Sequence, residues 1–167
     1  MPRESCLRAV LAGAELAQRL AREGTDILLL GEMGIGNTTT TAAVTACLLS
    51  LSPEAVCGRG AGLSDAGLAR KRQAVARALV CNAPDASDPI DVLSKLGGLD
   101  LAALCGAYLG AASARIPAVI DGFIGAAAAL CAYRLCPRAR HAMLASHVSS
   151  EPAATALLEA LELRRYL

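Results

Sequence analysis

Residues 26–39 read DILLLGEMGIGNTT, and this stretch decides the fold class of the chain. The short apolar run Ile27–Leu30 is typical of a strand buried on both faces of a parallel sheet. Glycines at 31, 34 and 36 follow it, and an uninterrupted segment from Asn37 to Leu51 predicts a helix. A strand, a glycine loop and a helix in this order predict an α/β domain whose loop and helix N-terminus bind a phosphate.

Two further apolar runs repeat the order of strand, polar loop and helix. They are Ile116–Ile120, followed by Asp121-Gly122, and His141–Ala145, followed by Ser146–Ser150. Helices are predicted over residues 4–23, 37–51, 65–81, 89–96, 100–113, 123–136 and 151–161, the last capped by Ser150. This alternation predicts one helix-rich α/β domain over residues 1–167, with a doubly wound, three-layer parallel sheet core and helices on both faces.

The composition excludes several classes of function. The chain has 167 residues, of which 54% are apolar, so it can bury a core and is not a disordered segment. Its net charge of +1 and its few aromatic residues, three tyrosines and one phenylalanine, argue against a nucleic-acid partner. No uncharged apolar run reaches the ~20 residues that a membrane span needs. The seven cysteines lack CxxC spacing, which predicts reduced thiols, no metal site and a cytoplasmic location.

The glycine loop is the first candidate site. Gly34 and Gly36 remove side chains, so backbone N–H groups can converge on an anion, and the partial positive charge of the helix N-terminus adds to the attraction. Asn37 and Thr38 offer polar contacts to such a ligand, or they only cap the helix. The loop lacks the Gly-Lys-[Ser/Thr] of a P-loop and does not match GxGxxG, so it predicts a phosphate without identifying the nucleotide.

Two other loops carry polar residues at the same predicted sheet edge. Asp121 either binds a ribose hydroxyl, acts as a base, or caps the helix that follows it. Ser149 is a candidate phosphate ligand beside the last helix. His147 suggests a nucleophile pair with Ser149, although no orienting carboxylate is evident in the sequence. The alternative is that His147 is a structural residue or makes only a weak contact.

The segment Gly58–Gly62 and the nearby Lys71 form the remaining candidate. Lys71 lies within Arg70-Lys71-Arg72, whose composition is typical of a solvated helix face. Within reach of an anion, however, Lys71 would supply the fixed cation that the glycine loop lacks. Spacing alone leaves both interpretations open.

Taken together, these segments resemble the nicotinate-nucleotide–dimethylbenzimidazole phosphoribosyltransferase family of the cobalamin pathway. The resemblance covers nearly the whole chain, and blocks that agree in order are more specific than any single glycine motif. The blocks are GEMGIGNTT (31–39), GRGAGLSDAGLARK (58–71), LGGLDLAALCGAYLGAA (96–112), RIPAVIDGFI (115–124) and ASHVSSEP (145–152).

This resemblance implies an enzyme that works as a homodimer without a cofactor or metal. Its reaction moves the phosphoribosyl group of nicotinate mononucleotide onto a ring nitrogen of 5,6-dimethylbenzimidazole, with inversion at the anomeric carbon. The products are α-ribazole 5′-phosphate and nicotinate. The transition state has oxocarbenium character, so a nearby carboxylate stabilises its developing positive charge.

The resemblance also implies roles for individual residues. Those implied around the nucleotide and its 5′-phosphate are Gly34, Gly36, Asn37, Thr38, Gly60, Lys71 and Ser149. Asp121 and Gly122 are expected beside the ribose and the departing nicotinate. Glu32 is expected at the reaction centre, and Met33 in the lining of the base pocket.

The chain also departs from this family. In the family, a glutamate in an RLGEGTGA-like segment near the C-terminus acts as the general base on the benzimidazole, and this sequence contains no such segment. The family's N-terminal region, which contributes to the base pocket and the dimer, is absent too. We therefore expect a core truncated at both ends. It either acts with a second protomer or a complementing chain, or it is a non-catalytic nucleotide-binding fragment.

Overall fold

Helices make up most of the chain, as its alanine- and leucine-rich sequence predicts. The computed structural model describes residues 1–164. The elements are α1 (Arg3–Arg22), β1 (Leu28–Leu30), α2 (Asn37–Leu49), α3 (Pro53–Val56), α4 (Asp65–Asn82), α5 (Pro89–Leu96), α6 (Leu99–Ala114), β2 (Ala118–Ile120), α7 (Gly122–Leu135), a 3-10 helix (Pro137–Ala142), β3 (Met143–Ala145) and α8 (Ala154–Ala160). None of the helices in this described part is long and apolar enough to cross a membrane.

The strands β1, β2 and β3 form a parallel sheet in that order. Leu29 pairs with Val119, which pairs in turn with Leu144. The predicted α/β class with a parallel sheet is therefore confirmed. Within residues 1–164 the strands follow chain order, so this part of the sheet lacks the reversal of strand order that marks a doubly wound fold.

Each strand is shorter than its apolar run predicts. β2 begins after Pro117, which has no N–H to donate but whose carbonyl accepts a hydrogen bond from the N–H of Leu28 at 2.9 Å. β3 begins at Met143 because the 3-10 helix includes His141 and Ala142. The parallel strands all end at one edge of the sheet, and the loops that follow them lie there.

The start of the last helix is predicted wrongly. α8 begins at Ala154, and the N-cap position belongs to Ala153 rather than Ser150. The segment before it is a loop in which the N–H of Glu151 lies 3.4 Å from the hydroxyl oxygen of Ser149. The Glu151 carboxylate accepts hydrogen bonds from a distant loop, which draws this segment out of the helix.

Helices α1 and α6 pack at very short distance because glycines lie where they cross. A Cβ atom at Gly106 would lie 1.8 Å from the carbonyl oxygen of Val10, and one at Gly13 would lie 1.9 Å from that of Ala103. Since α6 also contacts β1 and β2, the crossing supports the sheet whose edge carries the polar loops.

Small side chains fill much of the core as well. α7 buries the run Ala126–Ala129, which lets its neighbours approach closely. Four of the seven cysteines are buried among apolar residues, as expected of thiols that serve as small hydrophobes, namely Cys6, Cys57, Cys105 and Cys131.

We predict that Gly106→Ala lowers the free energy of unfolding by about 2–4 kcal/mol, because the added methyl group overlaps backbone that cannot rotate away. Urea denaturation measures the change. The matched control is Gly67→Ala in α4, where the methyl group meets the flexible side chain of Leu63 at 3.2 Å. We expect the control to keep its stability or gain up to about 1 kcal/mol from helix propensity. Equal losses in both variants would contradict the close crossing.

Candidate functional site

Four loops come together at the carboxyl edge of the sheet. Residues 31–36, 121 and 146–153 follow β1, β2 and β3, and residues 57–64 connect α3 to α4. Close contacts between Gly31 and Asp121, and between Gly60 and Glu151, connect these loops to one another. The polar residues that the sequence singled out therefore lie in one region.

The first glycine loop leads into α2 without a side-chain cap. Gly36 is the N-cap residue and has a left-handed backbone, with φ of 84°. Neither Asn37 nor Thr38 caps the helix, so the capping interpretation of these residues is wrong. The leading N–H groups of α2 are consequently free of any side-chain cap from residues 1–164 and can receive an anion.

Glu32 and Asn37 lie against Gly34, which has no room for a side chain. A Cβ atom there would lie 2.6 Å from Glu32 Oε1 and 3.1 Å from Asn37 Nδ2. Glu32 Oε2 and Asn37 Nδ2 are buried and have no hydrogen-bond partner within residues 1–164. Because buried polar atoms normally have partners, both are candidates for contact with a ligand.

Lys71 is buried, so its interpretation as part of a solvated helix face is wrong. Only 5% of the residue is exposed. Its Nζ donates to Thr38 Oγ1 at 3.0 Å and to the Gly58 carbonyl at 3.1 Å. It forms no ion pair with any residue of the described chain. A buried ammonium held only by neutral acceptors is costly, and an anion bound nearby would offset that cost.

A cavity of about 680 Å³ separates the two glycine loops and is lined by Met33–Thr39 and Arg59–Leu63. Thr38 connects this cavity to Lys71, because it lines the cavity and its hydroxyl accepts the bond from Nζ. Arg59 adds a second cation to the lining, although it already pairs with Asp65. The cavity thus combines a helix N-terminus, glycine backbone and nearby positive charge, which is the chemistry of an oxyanion site.

The second glycine loop is bound to the loop after β3 through Glu151. The N–H of Gly58 donates to Glu151 Oε2 at 3.1 Å, and that of Gly60 donates to Oε1 at 2.9 Å. Ser149 lies in the same loop, and its hydroxyl oxygen is the acceptor for the Glu151 N–H. The sequence pattern predicts Glu151 within the last helix and contains no sign of this contact.

Asp121 occupies the N-cap position of α7, but its side chain makes no capping hydrogen bond. The carboxylate lies against Gly31 instead, where a Cβ atom would come within 2.8 Å of Oδ2. His147 Nδ1 lies 3.9 Å from Asp121 Oδ1. Asp121 is therefore the carboxylate near His147, and the sequence alone did not indicate this proximity.

The hydroxyl within hydrogen-bond distance of the His147 ring belongs to Ser146 rather than to Ser149. Ser146 Oγ lies 2.9 Å from His147 Nδ1 and donates its own proton to the Ile120 carbonyl at 2.7 Å. Because a hydroxyl has one proton, Ser146 Oγ must accept from Nδ1.

Burial sets the protonation of two further groups near this edge. It raises the pKa of the Tyr108 phenol, and the negative charge of Asp121 raises it further. Burial also raises the pKa of the Cys57 thiol, against the smaller lowering effect of Lys71. Both groups stay neutral at physiological pH, so neither is an ionised member of the site.

The candidate residues fall into two groups. Gly34, Gly36, Asn37, Thr38, Gly60 and Lys71 surround or adjoin the cavity, whereas Asp121, Gly122 and His147 lie around the ends of β1 and β2. Glu32 adjoins the first group, and Met33 in the cavity lining is 99% exposed. In the described residues, no group of three or more His, Cys, Asp or Glu side chains is arranged to hold a metal ion.

Comparison with known proteins gives one consistent family. A family model described as a phosphoribosyltransferase, DBI_PRT, matches residues 1–167. A protein of Thermus thermophilus named nicotinate-nucleotide–dimethylbenzimidazole phosphoribosyltransferase is 50% identical over 167 residues, which is 100% of this chain and 50% of the relative. One of the same name from Acetivibrio thermocellus is 48% identical over 161 residues, or 96% of this chain and 46% of the relative.

The solved structures agree with this. The crystal structure of CobT from Thermus thermophilus superimposes with a TM-score of 0.95 at 49% identity, covering 100% of this chain and 50% of that one. The chain thus spans about half the length of the relatives that it matches.

The buried ammonium predicts a specific loss of phosphate binding in Lys71→Met. Removing the charge while keeping an unbranched side chain should weaken inorganic phosphate binding about tenfold or more, which corresponds to the loss of one charge-assisted hydrogen bond. The increase in melting temperature with added phosphate measures it. Lys95→Met is the matched control, because the exposed Lys95 pairs with Asp91 outside the cavity. Equal phosphate responses in both variants would remove Lys71 from the anion site.

Proposed function

This chain belongs to the phosphoribosyltransferase family DBI_PRT, and from that premise we propose that it acts in phosphoribosyl transfer from nicotinate mononucleotide to 5,6-dimethylbenzimidazole. In this proposal the cavity between the glycine loops binds the 5′-phosphate of the donor. The products are α-ribazole 5′-phosphate and nicotinate. The names of the relatives support the substrates, and the described residues support the phosphate site.

The observation that carries the proposal is the buried Lys71 ammonium beside the cavity. Its two acceptors are neutral, and one of them, Thr38, lies in the first turn of α2 at the cavity wall. A phosphate there receives N–H groups from the helix start at Gly36 and positive charge from Lys71. Holding this end of the donor fixes the distance from the phosphate to the anomeric carbon.

Two carboxylates then serve the ribose end of the donor. The bond between the anomeric carbon and the pyridinium nitrogen breaks, and its electron pair leaves with nicotinate. Positive charge develops on the ribose, and Glu32 stabilises it from beside Gly34. Asp121 and Gly122 lie at the end of β2, where we place the ribose hydroxyls and the departing nicotinate.

The acceptor completes the reaction from the opposite face of the ribose. A ring nitrogen of the benzimidazole forms the new bond to the anomeric carbon, and the proton on its other nitrogen passes to a base. We assign that base to a partner, either a second copy in a homodimer or a complementing chain. Met33 and Ile35 are both exposed and lie together at the cavity, and an apolar patch of this kind is typical of a surface that binds a ligand or a partner.

Association with a partner would also cover the open edges of the sheet. β1 and β3 are the two edges of the described sheet, and an uncovered edge invites pairing. We propose that further strands complete a doubly wound, three-layer arrangement in the assembled enzyme, and that this enzyme is cytoplasmic.

A transfer assay with Glu32→Gln tests the function. We expect α-ribazole 5′-phosphate from the unmodified chain, and a product rate about 10²–10³-fold lower for the variant, because the charge that stabilises the transition state is lost. Affinity for nicotinate mononucleotide, measured by calorimetry, should change less than about twofold, since Glu32 acts mainly in the transition state. Glu54→Gln, on the exposed surface of α3, is the matched control.

The alternative, a nucleotide-binding fragment without catalysis, gives a different result in this assay. Donor binding without product at high protein concentration would support that fragment and contradict transfer by this chain without a complementing chain. Absence of donor binding by the folded chain would contradict both.

A further inference from the structure

Glu151 is the one acidic side chain of the exit loop after β3, and it bonds to a loop that is remote in sequence. Its two carboxylate oxygens accept separate backbone N–H groups, from Gly58 at 3.1 Å and from Gly60 at 2.9 Å. Charged acceptors make stronger hydrogen bonds than neutral ones, and two bonds to one carboxylate also fix its orientation. The pair therefore holds residues 58–60 at a defined distance from the end of β3.

Gly58 shows how close this contact is. A Cβ atom at that position would lie 2.2 Å from Glu151 Oε2 and 2.7 Å from Pro152 Cδ. The backbone of Gly58 is buried, and only a residue without a side chain allows the carboxylate to reach both N–H groups. Glycine at position 58 therefore leaves the space that the Glu151 carboxylate occupies.

The same glycine connects Glu151 to the buried cation. The N–H of Gly58 donates to Glu151, and its carbonyl accepts a hydrogen bond from Lys71 Nζ at 3.1 Å. Nζ donates in turn to Thr38 at the cavity wall. A continuous series of hydrogen bonds thus runs from Glu151 through Gly58 and Lys71 to Thr38.

Gly60 provides the second backbone N–H of this contact. That N–H donates to Glu151, and a Cβ atom at Gly60 would lie 3.2 Å from Thr38 Oγ1. Its backbone is left-handed, with φ of 51°. In this arrangement the absence of a side chain at Gly60 leaves space beside Thr38, and its N–H is hydrogen-bonded to Glu151.

We propose that Glu151 is a positioning residue of the donor site, an inference that rests on the proposed function. It holds the second glycine loop so that Lys71 and Thr38 face the phosphate, and it does not contact the donor. Since a carboxylate repels a phosphate, its position on the N–H groups of Gly58 and Gly60 directs the phosphate to the first glycine loop and the start of α2. Its effect should depend on the phosphate of the ligand.

Two variants and a matched control test this inference. Glu151→Ala removes both acceptors, Glu151→Gln keeps one acceptor oxygen, and Glu159→Ala changes an exposed glutamate of α8. Calorimetry compares nicotinate mononucleotide with nicotinate riboside, the same molecule without its phosphate. Amide hydrogen exchange at Gly58 and Gly60, followed by NMR, reports the loop itself.

We expect Glu151→Ala to weaken nicotinate mononucleotide binding about tenfold, to change riboside binding less than about twofold, and to accelerate exchange at both amides. Glu151→Gln should restore part of the affinity. The double variant with Lys71→Met should lose less than the sum of the two single losses, because both act through Gly58. Glu159→Ala should match the unmodified chain throughout.

Two outcomes would overturn the inference. One is unchanged nucleotide affinity in Glu151→Ala while the unmodified chain binds the nucleotide, which leaves the proposed function standing. The other is an equal loss for nucleotide and riboside, which assigns Glu151 a general structural role. If the unmodified chain binds no nucleotide, the proposed function fails instead, and the amide exchange still reports whether Glu151 holds the loop.

Discussion

The ammonium group of Lys71 holds three segments of the chain together at the carboxyl edge of the sheet. It extends from α4, donates to Thr38 at the start of α2, and donates to the carbonyl of Gly58 in the second glycine loop. Burying a charge is costly unless polar groups surround it, so these segments cannot separate without leaving it unpaired. The ammonium has three protons and two acceptors in the described chain, which leaves it able to take one more partner.

The fold also determines where the acidic side chains of the site lie. A parallel sheet brings the ends of β1, β2 and β3 to one edge, so Glu32, Asp121 and the loop of Glu151 lie near it. The backbone of Gly58 lies between the Glu151 carboxylate and the ammonium, and no carboxylate of the described residues forms an ion pair with Lys71. A cation beside a cavity and carboxylates around it suit a donor with a phosphate at one end and developing positive charge at the other.

Much of this arrangement could be predicted from the sequence because it depends on local pattern. The run Ile27–Leu30, the glycines after it and the helix from Asn37 are neighbours along the chain, so their order was enough to predict the loop. Lys71 was ambiguous, since the flanking arginines gave no sign that its position on α4 faces inward. Glu151 was assigned to a helix because Ser-Ser-Glu-Pro resembles a helix start. Its partners Gly58 and Gly60 lie 93 and 91 residues away, beyond the reach of any local pattern. The contact between Asp121 and His147 was missed for the same reason.

A crystal structure of the chain with nicotinate mononucleotide would show directly where the donor phosphate binds. We expect the phosphate in the cavity between Met33–Thr39 and Arg59–Leu63, within hydrogen-bond distance of the first N–H groups of α2 and of Lys71 or Thr38. We also expect the hydrogen bonds from Gly58 and Gly60 to Glu151 to remain intact. A phosphate bound elsewhere on the chain, or one that displaces Glu151 from these N–H groups, would contradict a donor site formed by Lys71, the start of α2 and the two glycine loops.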